Sequence, residues 1–373
     1  MNFDTVIIRS NPITYDPRVI KISQSLSKKY SVIILGWDRE MINEAEEVIN
    51  NKLWIKRLKL KAPYGRFSLL SLYPLFWIWV FINLITYKPR VVHACDLDSL
   101  IPCYVYRKIF STKLLFDSFD RFAMAFVPQK HYTIYTFIDK LENLLSSKSD
   151  ALVTVSDDRL LTFSDNKPNF VEIIYNSPSD NYYLNKSDKV SSEKDNLHLV
   201  YAGSLASDRG LFLLDEALHD LKGVRLILAG RADKESIEPI LQNPNIKHIG
   251  LLGYDSALKL QATADIIPIL YDPSVPINCV ASPNKLFEAM MLGIPVITNV
   301  CEDLVEEIDC GLIVEYNSKS VREQILLLKN DPALRKKLGL NGRRAFERKY
   351  SWRLMEKKLM VMYQRLLDAN YVS

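Results

Sequence analysis

Short apolar stretches alternate with longer helical patterns along almost the whole chain, and this alternation limits the possible folds more than any other feature. A first series runs from Thr5–Ile8 to residues 171–174, and a second runs from Leu197–Ala202 to residues 312–314. Residues 177–196 between them are polar and rich in Ser, Asn, Asp and Lys. Strands that alternate with helices form parallel sheets covered on both faces. The sequence therefore predicts an α/β protein with two doubly wound domains and a ligand cleft between them, at the carboxyl ends of the strands.

The composition is that of a globular protein with a mildly basic charge balance. The 373 residues are 48% hydrophobic and 25% charged, and the net charge is +4. This charge is too small to indicate nucleic-acid binding, and it suits anionic membranes or phosphorylated substrates. Met1 leads directly into the first predicted strand, so we expect no signal peptide and a cytoplasmic protein.

The cysteine pattern supports the same compartment. No two of the five cysteines form a CxxC pair, and several lie within apolar stretches. This is typical of reduced core thiols in a cytosolic protein rather than of disulfides or a zinc site. The five are Cys95, Cys103, Cys279, Cys301 and Cys310.

Residues 67–87 contain no charge and are bracketed by Arg66 and Lys88. The length would permit a membrane span, but Pro74 and several polar residues interrupt the segment, and a strand follows soon after it. We therefore expect a helix that is either buried under a sheet or lies in the plane of a membrane surface. Four aromatic side chains resemble an anchor at a lipid interface: Tyr73, Phe76, Trp77 and Trp79.

The stretch 282–297 has the order cap, helix, glycine turn, strand. Ser282 is a good N-cap, Pro283 suits the first helical position, and Gly293 is placed to end the helix. The free N–H groups of the first turn and the positive end of the helix dipole favour an anion.

Two charged residues of this helix point to a more specific ligand. Lys285 adds a full charge on the first turn, and Glu288 is placed to reach a ribose diol. Together they indicate a bound nucleotide diphosphate. The alternative is an ordinary capped core helix that leads into a strand.

These motifs have counterparts in a known family. In the first half they are Asn11-Pro12, Asp16-Pro17-Arg18-Val19, Val91-Val92-His93-Ala94, Leu115-Phe116-Asp117 and residues 151–156; in the second half they are Tyr201-Ala202-Gly203-Ser204, residues 228–231, residues 249–253, residues 282–297 and Tyr350-Ser351-Trp352. In order and spacing the chain resembles the GT-B fold glycosyltransferases. The similarity is strongest to the family-4 (group 1) enzymes of surface polysaccharide and glycan assembly, and it covers nearly the whole chain.

The resemblance implies two Rossmann-like domains that face each other across a cleft, with a C-terminal helix crossing back to the first domain. Residues 1–180 would form the acceptor-binding domain, with 352–373 packing onto it. Residues 181–196 would form the linker. Residues 197–351 would form the domain that binds the nucleotide-sugar donor.

The resemblance also assigns roles in a donor site. Glu288 would accept hydrogen bonds from the ribose hydroxyls, and the helix that begins at Ser282 would hold the diphosphate. Arg209 stands where the family usually carries a lysine that neutralises the leaving diphosphate, a task that Lys285 would share. The base would lie near the glycines, which let it approach the backbone. The full donor-binding set is Gly203, Ser204, Arg209, Gly230, Arg231, Gly253, Tyr254, Ser282, Pro283, Asn284, Lys285, Leu286 and Glu288.

The sequence departs from the family pattern at three positions. Val280 stands where the family has a glutamate that contacts the transferred sugar, and Ser204 stands where many relatives have arginine. Phe119 replaces a histidine. These departures leave the identity of the sugar and the stereochemistry of transfer open.

The candidate catalytic residues are Asp120, Asp117, His93, Arg209 and Lys285. Transfer with retention, without a protein nucleophile, is the family expectation, and an inverting reaction with Asp120 or Asp117 as base is the alternative. His93 would contact the sugar or cap its strand. Asp96 and Asp98 form a D-x-D string, which we interpret as a strand-end loop and not as a metal site.

The sequence thus predicts a metal-independent glycosyltransferase that uses no cofactor beyond its donor substrate, a UDP- or GDP-linked sugar. The acceptor would be a glycan or a lipid-linked molecule, and residues 67–87 suggest peripheral contact with the inner face of the cell membrane. Two alternatives remain open: a nucleotide-sugar 2-epimerase on the same fold, and a non-catalytic partner subunit.

Overall fold

The computed structural model describes residues 2–14, 16–63, 69, 71–179, 196–232 and 237–368. The chain divides into two compact units: Met1–Tyr175 together with Met355–Ser373, and Asn176–Leu354. The predicted linker at 181–196 lies outside the described residues except for its last position. The acceptor and donor roles of the two halves stay predictions at this point.

The first unit is built on one sheet whose strand order is β3-β4-β2-β1-β5-β6-β7-β8. All of its described pairings are parallel except that of β3 with β4. The strands are β1 Thr5–Ile8, β2 Val32–Asp38, β3 Glu46–Asn50, β4 Leu53–Lys59, β5 Val91–Cys95, β6 Lys113–Ser118, β7 Ala151–Thr154 and β8 Phe170–Ile173. The helices are α1 Pro17–Ser27, α2 Tyr73–Tyr87, α3 Leu97–Ile109, α4 Phe122–Phe126, α5 Tyr132–Ser147 and α6 Asp157–Leu161.

Burial explains which strands could be predicted from the sequence. Every residue of β1, β2 and β5 is buried, as expected for parallel strands that are covered on both faces. Their continuous apolar runs are therefore easy to recognise. Strand β3 was missed because all five of its residues are exposed and it begins with two glutamates. It is an antiparallel edge strand, a position that tolerates polar side chains.

The second unit contains two three-stranded parallel sheets, ordered β11-β10-β9 and β12-β13-β14. An isolated parallel bridge between Leu199 and Ile266 connects them beside β9 and β12. The strands are β9 Leu197–Ala202, β10 Val224–Ala229, β11 Ile246–His248, β12 Ile267–Ile269, β13 Val296–Thr298 and β14 Gly311–Ile313. The helices are α7 Leu211–Leu218, α8 Tyr254–Gln261, α9 Pro276–Cys279, α10 Asn284–Leu292, α11 Glu302–Ile308, α12 Ser318–Asn330 and α13 Pro332–Ala345.

The ends of α1 and α10 show how far local sequence determines helix boundaries. Asp16 caps α1 by accepting a hydrogen bond from the Val19 N–H at 3.1 Å, with Pro17 in the first position. In α10 the prediction is wrong by one residue, because Pro283 occupies the N-cap position and the helix begins at Asn284. Gly293 ends α10 in the left-handed conformation, with φ 67°, as predicted.

The last helix, α14 Trp352–Leu367, begins in the second unit and belongs to the first from Met355 onward. Within the first unit its Lys358 ammonium lies 2.8 Å from Glu172, and the side chain of Tyr363 is fully buried. Ser351, which precedes this helix, does not cap it through its side chain, since the buried Ser351 Oγ has no hydrogen-bond partner among the described residues.

The helix expected within 67–87 is α2, and its aromatic residues do not form an exposed anchor. Tyr73 and Phe76 are buried, and the Phe76 ring stacks on Trp37 at a centroid distance of 5.2 Å. Trp77 is partly buried and donates its indole N–H to the Asp98 carbonyl at 2.8 Å. Trp79 also packs against the core. The aromatic anchor was therefore a wrong prediction, since the sheet beneath α2 takes these rings.

In the part of the chain that the structure describes, no helix is long and apolar enough to cross a bilayer. All five cysteines are described and none forms a disulfide, and Cys279 is exposed, so it is not the core thiol that was expected.

Candidate functional site

The candidate site of the second unit is organised by two glycines at the ends of β9 and β10. Gly203 and Gly230 have φ values of 149° and 151°, a region that side chains rarely adopt. A Cβ atom on Gly230 would lie 1.7 Å from the Gly203 carbonyl oxygen. A Cβ atom on Gly203 would lie 2.5 Å from Lys285 Nζ. The glycines therefore allow two strand ends and the Lys285 ammonium to approach one another closely.

Lys285 extends from the first turn of α10 over an aromatic ring. Its Nζ lies 4.5 Å from the ring centroid of Tyr201, close enough for a cation–π contact. The Tyr201 hydroxyl donates to the Ser204 carbonyl at 3.0 Å, which fixes the ring. Burial raises the pKa of Tyr201, so the ring stays neutral beneath the ammonium. The ring beneath the lysine therefore carries no opposing charge.

Arg209 lies over a second tyrosine. Its guanidinium carbon is 4.1 Å from the ring centroid of Tyr271, and its Nη1 donates to Asn278 Oδ1 at 3.2 Å. Asp208 lies 3.6 Å from its Nε. Burial raises the pKa of Tyr271, while the nearby charges of Lys285 and Arg209 act in the opposite direction. Both cations therefore influence the same phenol, which brings the two predicted phosphate-neutralising residues into one site.

Glu288, the predicted ribose acceptor, lies on α10 and is 5% exposed. Its Oε2 accepts a hydrogen bond from Gln261 Nε2 at 3.0 Å. The sequence prediction missed Gln261, which lies at the end of α8, and nothing in its local pattern marks it. Gln261 Oε1 is buried and has no hydrogen-bond partner among the described residues. The Gln261 side-chain amide thus orients the Glu288 carboxylate, and the Gln261 carbonyl oxygen stays unused as an acceptor.

The residues predicted to surround the base lie at the neighbouring strand ends. The Gly230 N–H donates to the Gly250 carbonyl at 2.9 Å, and Gly253 occupies the N-cap position of α8. A Cβ atom on Gly253 would meet nothing within 4 Å, so the space beside it is open. Arg231 and Tyr254 are exposed. Their contact with a base stays a prediction.

In the first unit, two of the candidate catalytic residues, His93 and Asp117, lie in a buried network with Arg18. Arg18 donates to both Asp117 oxygens, from Nη2 at 2.8 Å and from Nε at 3.3 Å. His93 Nε2 lies 3.3 Å from Asp117, and His93 Nδ1 lies 2.9 Å from the Tyr363 hydroxyl. The two ring nitrogens thus hold His93 between a carboxylate and a phenol hydroxyl. Burial favours a raised pKa for Asp117, but Arg18 and His93 outweigh it and lower the pKa.

This network places His93 and Asp117 away from solvent. Both are 0% exposed, so neither presents an atom to a substrate in this structure. Asp117 is also a poor base, because its ion pair with Arg18 stabilises the deprotonated form. We expected His93 to contact the sugar and Asp117 to act as a base. The structure contradicts both roles, and the two residues instead hold the fold together. No local sequence pattern predicted this network, since Arg18 is 99 residues from Asp117 and Tyr363 is 270 residues from His93.

The D-x-D residues are buried as well. Asp96 forms an ion pair with Arg9 and accepts the Phe119 N–H at 2.8 Å. Burial raises the pKa of Asp96 to about 6, although Arg9 opposes the shift. Asp98 accepts from the Tyr73 hydroxyl at 3.0 Å. Asp96 follows β5 directly and precedes α3, as expected for a strand-end loop, but Asp98 lies in the first turn of α3, so the loop prediction is wrong for Asp98.

Asp120 differs from Asp117, the other carboxylate of this unit that was predicted to be catalytic. Its side chain is 47% exposed and lies 3.0 Å from Arg159 Nη1. The preceding residue, Phe119, lies beneath two guanidinium groups, with Arg9 at 4.4 Å and Arg18 at 5.0 Å from its ring centroid. An aromatic ring therefore fills the place of the family histidine, and Asp120 is the predicted acid of this unit that a substrate can reach.

Comparison with known proteins places this geometry in a family context. Residues 184–345, which lie in the second unit, match the family model described as glycosyl transferases group 1. A capsular polysaccharide biosynthesis glycosyltransferase of Staphylococcus aureus, CapM, is 29% identical over 196 residues, 47% of this chain and 48% of that protein. An uncharacterised glycosyltransferase of Methanocaldococcus jannaschii is 28% identical over 228 residues. That match covers 60% of this chain and 62% of the relative.

Similarity to solved structures extends over nearly the whole chain. Sucrose-phosphate synthase from Thermosynechococcus elongatus has a TM-score of 0.84 at 16% identity, covering 97% of this chain and 98% of that one. The HepE protein of Anabaena, solved in complex with UDP and glucose, has a TM-score of 0.75 at 14% identity. Its match covers 97% of this chain and all of HepE. At these identities the likeness establishes the fold. The chain therefore has the GT-B fold of two Rossmann-like units and resembles the group 1 glycosyltransferases, whose family model matches its second unit.

Proposed function

We propose that this protein is a glycosyltransferase that moves a hexose-type sugar from a nucleoside-diphosphate donor to a glycan or lipid-linked acceptor. The second unit binds the donor and the first unit binds the acceptor. The observation that carries the proposal is that Lys285 lies beside Gly203 and that Lys285 and Arg209 both act on the buried Tyr271 phenol, all in the segment that matches the family model.

Lys285 and Arg209 account for the stabilisation of the leaving diphosphate. Negative charge accumulates on the diphosphate as the sugar leaves, so fixed cations stabilise the transition state more than the ground state. Lys285 lies over a neutral phenol ring, which leaves its charge available to a ligand. Arg209 lies over a second ring and 3.6 Å from Asp208, and it adds a second cation. The first-turn N–H groups of α10 add donors for a phosphate oxygen. Because these groups supply the positive charge, we propose that transfer does not require a metal.

Glu288 completes the nucleotide half of the site. Its carboxylate offers several lone pairs to two neighbouring ribose hydroxyls. The hydrogen bond from Gln261 holds one oxygen and leaves the other for the ribose. The base lies against the open backbone near Gly253.

The stereochemical course that we favour is retention. An inverting transferase needs a base beside the acceptor hydroxyl, and Asp117 is buried and paired with Arg18. Asp120 stays the base of the inverting alternative. Val280 supplies no carboxylate to the transferred sugar, so the sugar is recognised by other groups.

The acceptor class follows from the kind of relative that matches. The Staphylococcus aureus relative is named for capsular polysaccharide biosynthesis, and we propose a role in polysaccharide or glycan assembly for this chain. We propose a lipid-linked acceptor and work at the inner face of the cell membrane, because the uncharged segment 67–87 lies in the unit that would bind the acceptor.

A donor screen tests the proposal. Thermal shift and calorimetry with UDP-, GDP- and dTDP-sugars should show stabilisation by at least one nucleotide sugar. Lys285→Ala and Glu288→Ala should each weaken that binding, while Lys319→Ala, an exposed lysine of the same unit, should not. Stabilisation by none of these nucleotides would overturn the proposal. Isomerisation of the donor without an acceptor would indicate the 2-epimerase alternative.

A further inference from the structure

The first unit has an apolar outer surface on one side of its sheet. Helices α2, α3 and α5 all contribute to the same buried cluster, together with residues of β1, β2, β5 and β6. They therefore cover one face of the sheet and share one outer surface. In an ordinary α/β protein this surface would be polar.

Helix α2 shows most clearly that this outer surface is apolar rather than polar. Four aliphatic residues on it are exposed by 39% to 58% of their surface, and their spacing of three and four positions places them on one stripe. The helix has no charged residue to interrupt that stripe. The stripe consists of Leu75, Ile78, Ile82 and Ile85.

The neighbouring helices extend the apolar surface. On α3, Val105 is 47% exposed and Ile109 is 63% exposed, one turn apart. On α5, Phe137 is 66% exposed and Leu144 is 56% exposed. Contiguous exposed apolar surface of this kind marks an interaction site. We call the outer surface of these three helices the apolar face.

The charges on the apolar face are of one sign. All residues of α2, α3 and α5 are described, and the charged residues exposed on them are Lys108 and Lys140. The acidic residues of these helices are turned away from water or paired. Asp98 and Glu142 are buried, and Asp139 lies against Arg121. An apolar surface that carries only cations is complementary to an anionic lipid leaflet.

We propose that the apolar face docks the first unit onto an anionic lipid bilayer. A second copy of the chain is a poorer occupant, since a twofold contact would bring Lys108 and Lys140 against a surface of the same sign. Aliphatic side chains enter the acyl region, and the two lysines contact lipid phosphates. The inference deepens the lipid-linked acceptor of the proposed function, because it brings the first unit to the surface where such an acceptor resides.

Vesicle flotation tests this proposal without any sugar donor. The full chain should float with vesicles of phosphatidylglycerol and phosphatidylcholine, and bind pure phosphatidylcholine vesicles much less. The double variant Ile78→Glu, Ile82→Glu should lower the partition coefficient by roughly tenfold or more. The double variant Lys108→Glu, Lys140→Glu should weaken binding to anionic vesicles and reduce its salt dependence.

A matched control separates this effect from added negative charge. Leu327 and Leu340 are 45% and 40% exposed on helices of the second unit, so the double variant Leu327→Glu, Leu340→Glu should float like the unaltered chain. Unchanged stabilisation of the Ile78/Ile82 variant by nucleotide would confirm that its donor site is folded. No flotation of the unaltered chain, or equal flotation of the Ile78/Ile82 variant, would overturn the proposal. Sedimentation showing a dimer that the same variant abolishes would overturn it in favour of a contact between copies.

Discussion

The two units use charged side chains differently at the carboxyl ends of their strands. In the first unit, Asp117 is fully buried, and Arg18 donates to its two oxygens from Nε and Nη2. In the second unit, Lys285 and Arg209 lie over the faces of neutral tyrosine rings. A buried ion pair is internally neutral, whereas a cation over a phenol keeps its charge for a ligand. We infer that the first network maintains the fold, and we propose that the second receives an anion.

The largest effect on folding is expected from Arg18→Met. This change leaves the Asp117 carboxylate buried without its cation, which costs about 3–5 kcal/mol in free energy of unfolding. Urea denaturation measures the loss. Arg107→Met, which breaks a more exposed pair with Asp150, is the matched control and should cost about 1 kcal/mol or less. Equal losses in the two variants would contradict the structural role of the buried network.

A second prediction concerns the pH dependence of the first unit. Burial raises the pKa of Glu142 from its ordinary value of 4.5 to about 8, although Arg121 opposes the shift. A carboxyl whose pKa is higher in the folded state stabilises the fold at low pH, and this contribution is lost as pH rises from about 4.5 to about 8. Denaturant unfolding between pH 5 and 8 should show that decline in the unaltered protein, and Glu142→Gln should reduce it. An identical pH profile in the variant would be the contrary result.

Gly203→Ala tests the second unit with a smaller expected cost to stability. The added methyl would lie 2.5 Å from Lys285 Nζ, and a flexible lysine end moves aside. The φ of 149° adds strain of about 1–3 kcal/mol to the folded state. We expect weaker nucleotide binding by calorimetry, because the displaced ammonium no longer meets the diphosphate. Gly253→Ala, where a Cβ meets nothing within 4 Å, is the control and should fold like the unaltered chain.

The smallest effect on stability is expected from Asp120→Asn. Its partly exposed pair with Arg159 contributes about 0–1 kcal/mol. Transferase assays with the variant then report on chemistry alone. A retaining reaction should keep activity within a few-fold of the unaltered enzyme. A loss of roughly a hundredfold or more would instead identify Asp120 as the base of an inverting reaction.

The sequence predicted those structural features that are determined by residues close together in the chain. Asp16 with Pro17 marks the start of α1, Gly293 marks the end of α10, and buried apolar runs mark the parallel strands. Lys285 and Glu288 could be named as site residues for the same reason, because they belong to one helix, and their roles stay predictions. The family resemblance added Arg209.

Contacts between distant residues could not be predicted in this way. Arg18 meets Asp117 across 99 positions, and no local pattern distinguishes this arginine from one on the surface. His93 looked like a ligand because a strand end is an accessible place in many sites, yet Tyr363 covers it from 270 residues away. Gln261 was missed for the same reason, since its partner lies on another helix.

The buried contact between Tyr363 and His93 has a consequence for how the chain folds during synthesis. The first 175 residues contain all the strands of the first sheet, yet α14 joins their unit only from Met355 onward. Until those later residues emerge from the ribosome, the imidazole of His93 lacks its hydroxyl partner and the surface that α14 will cover stays open. The first unit to be translated is thus the last to be completed, and the second unit can finish folding before it.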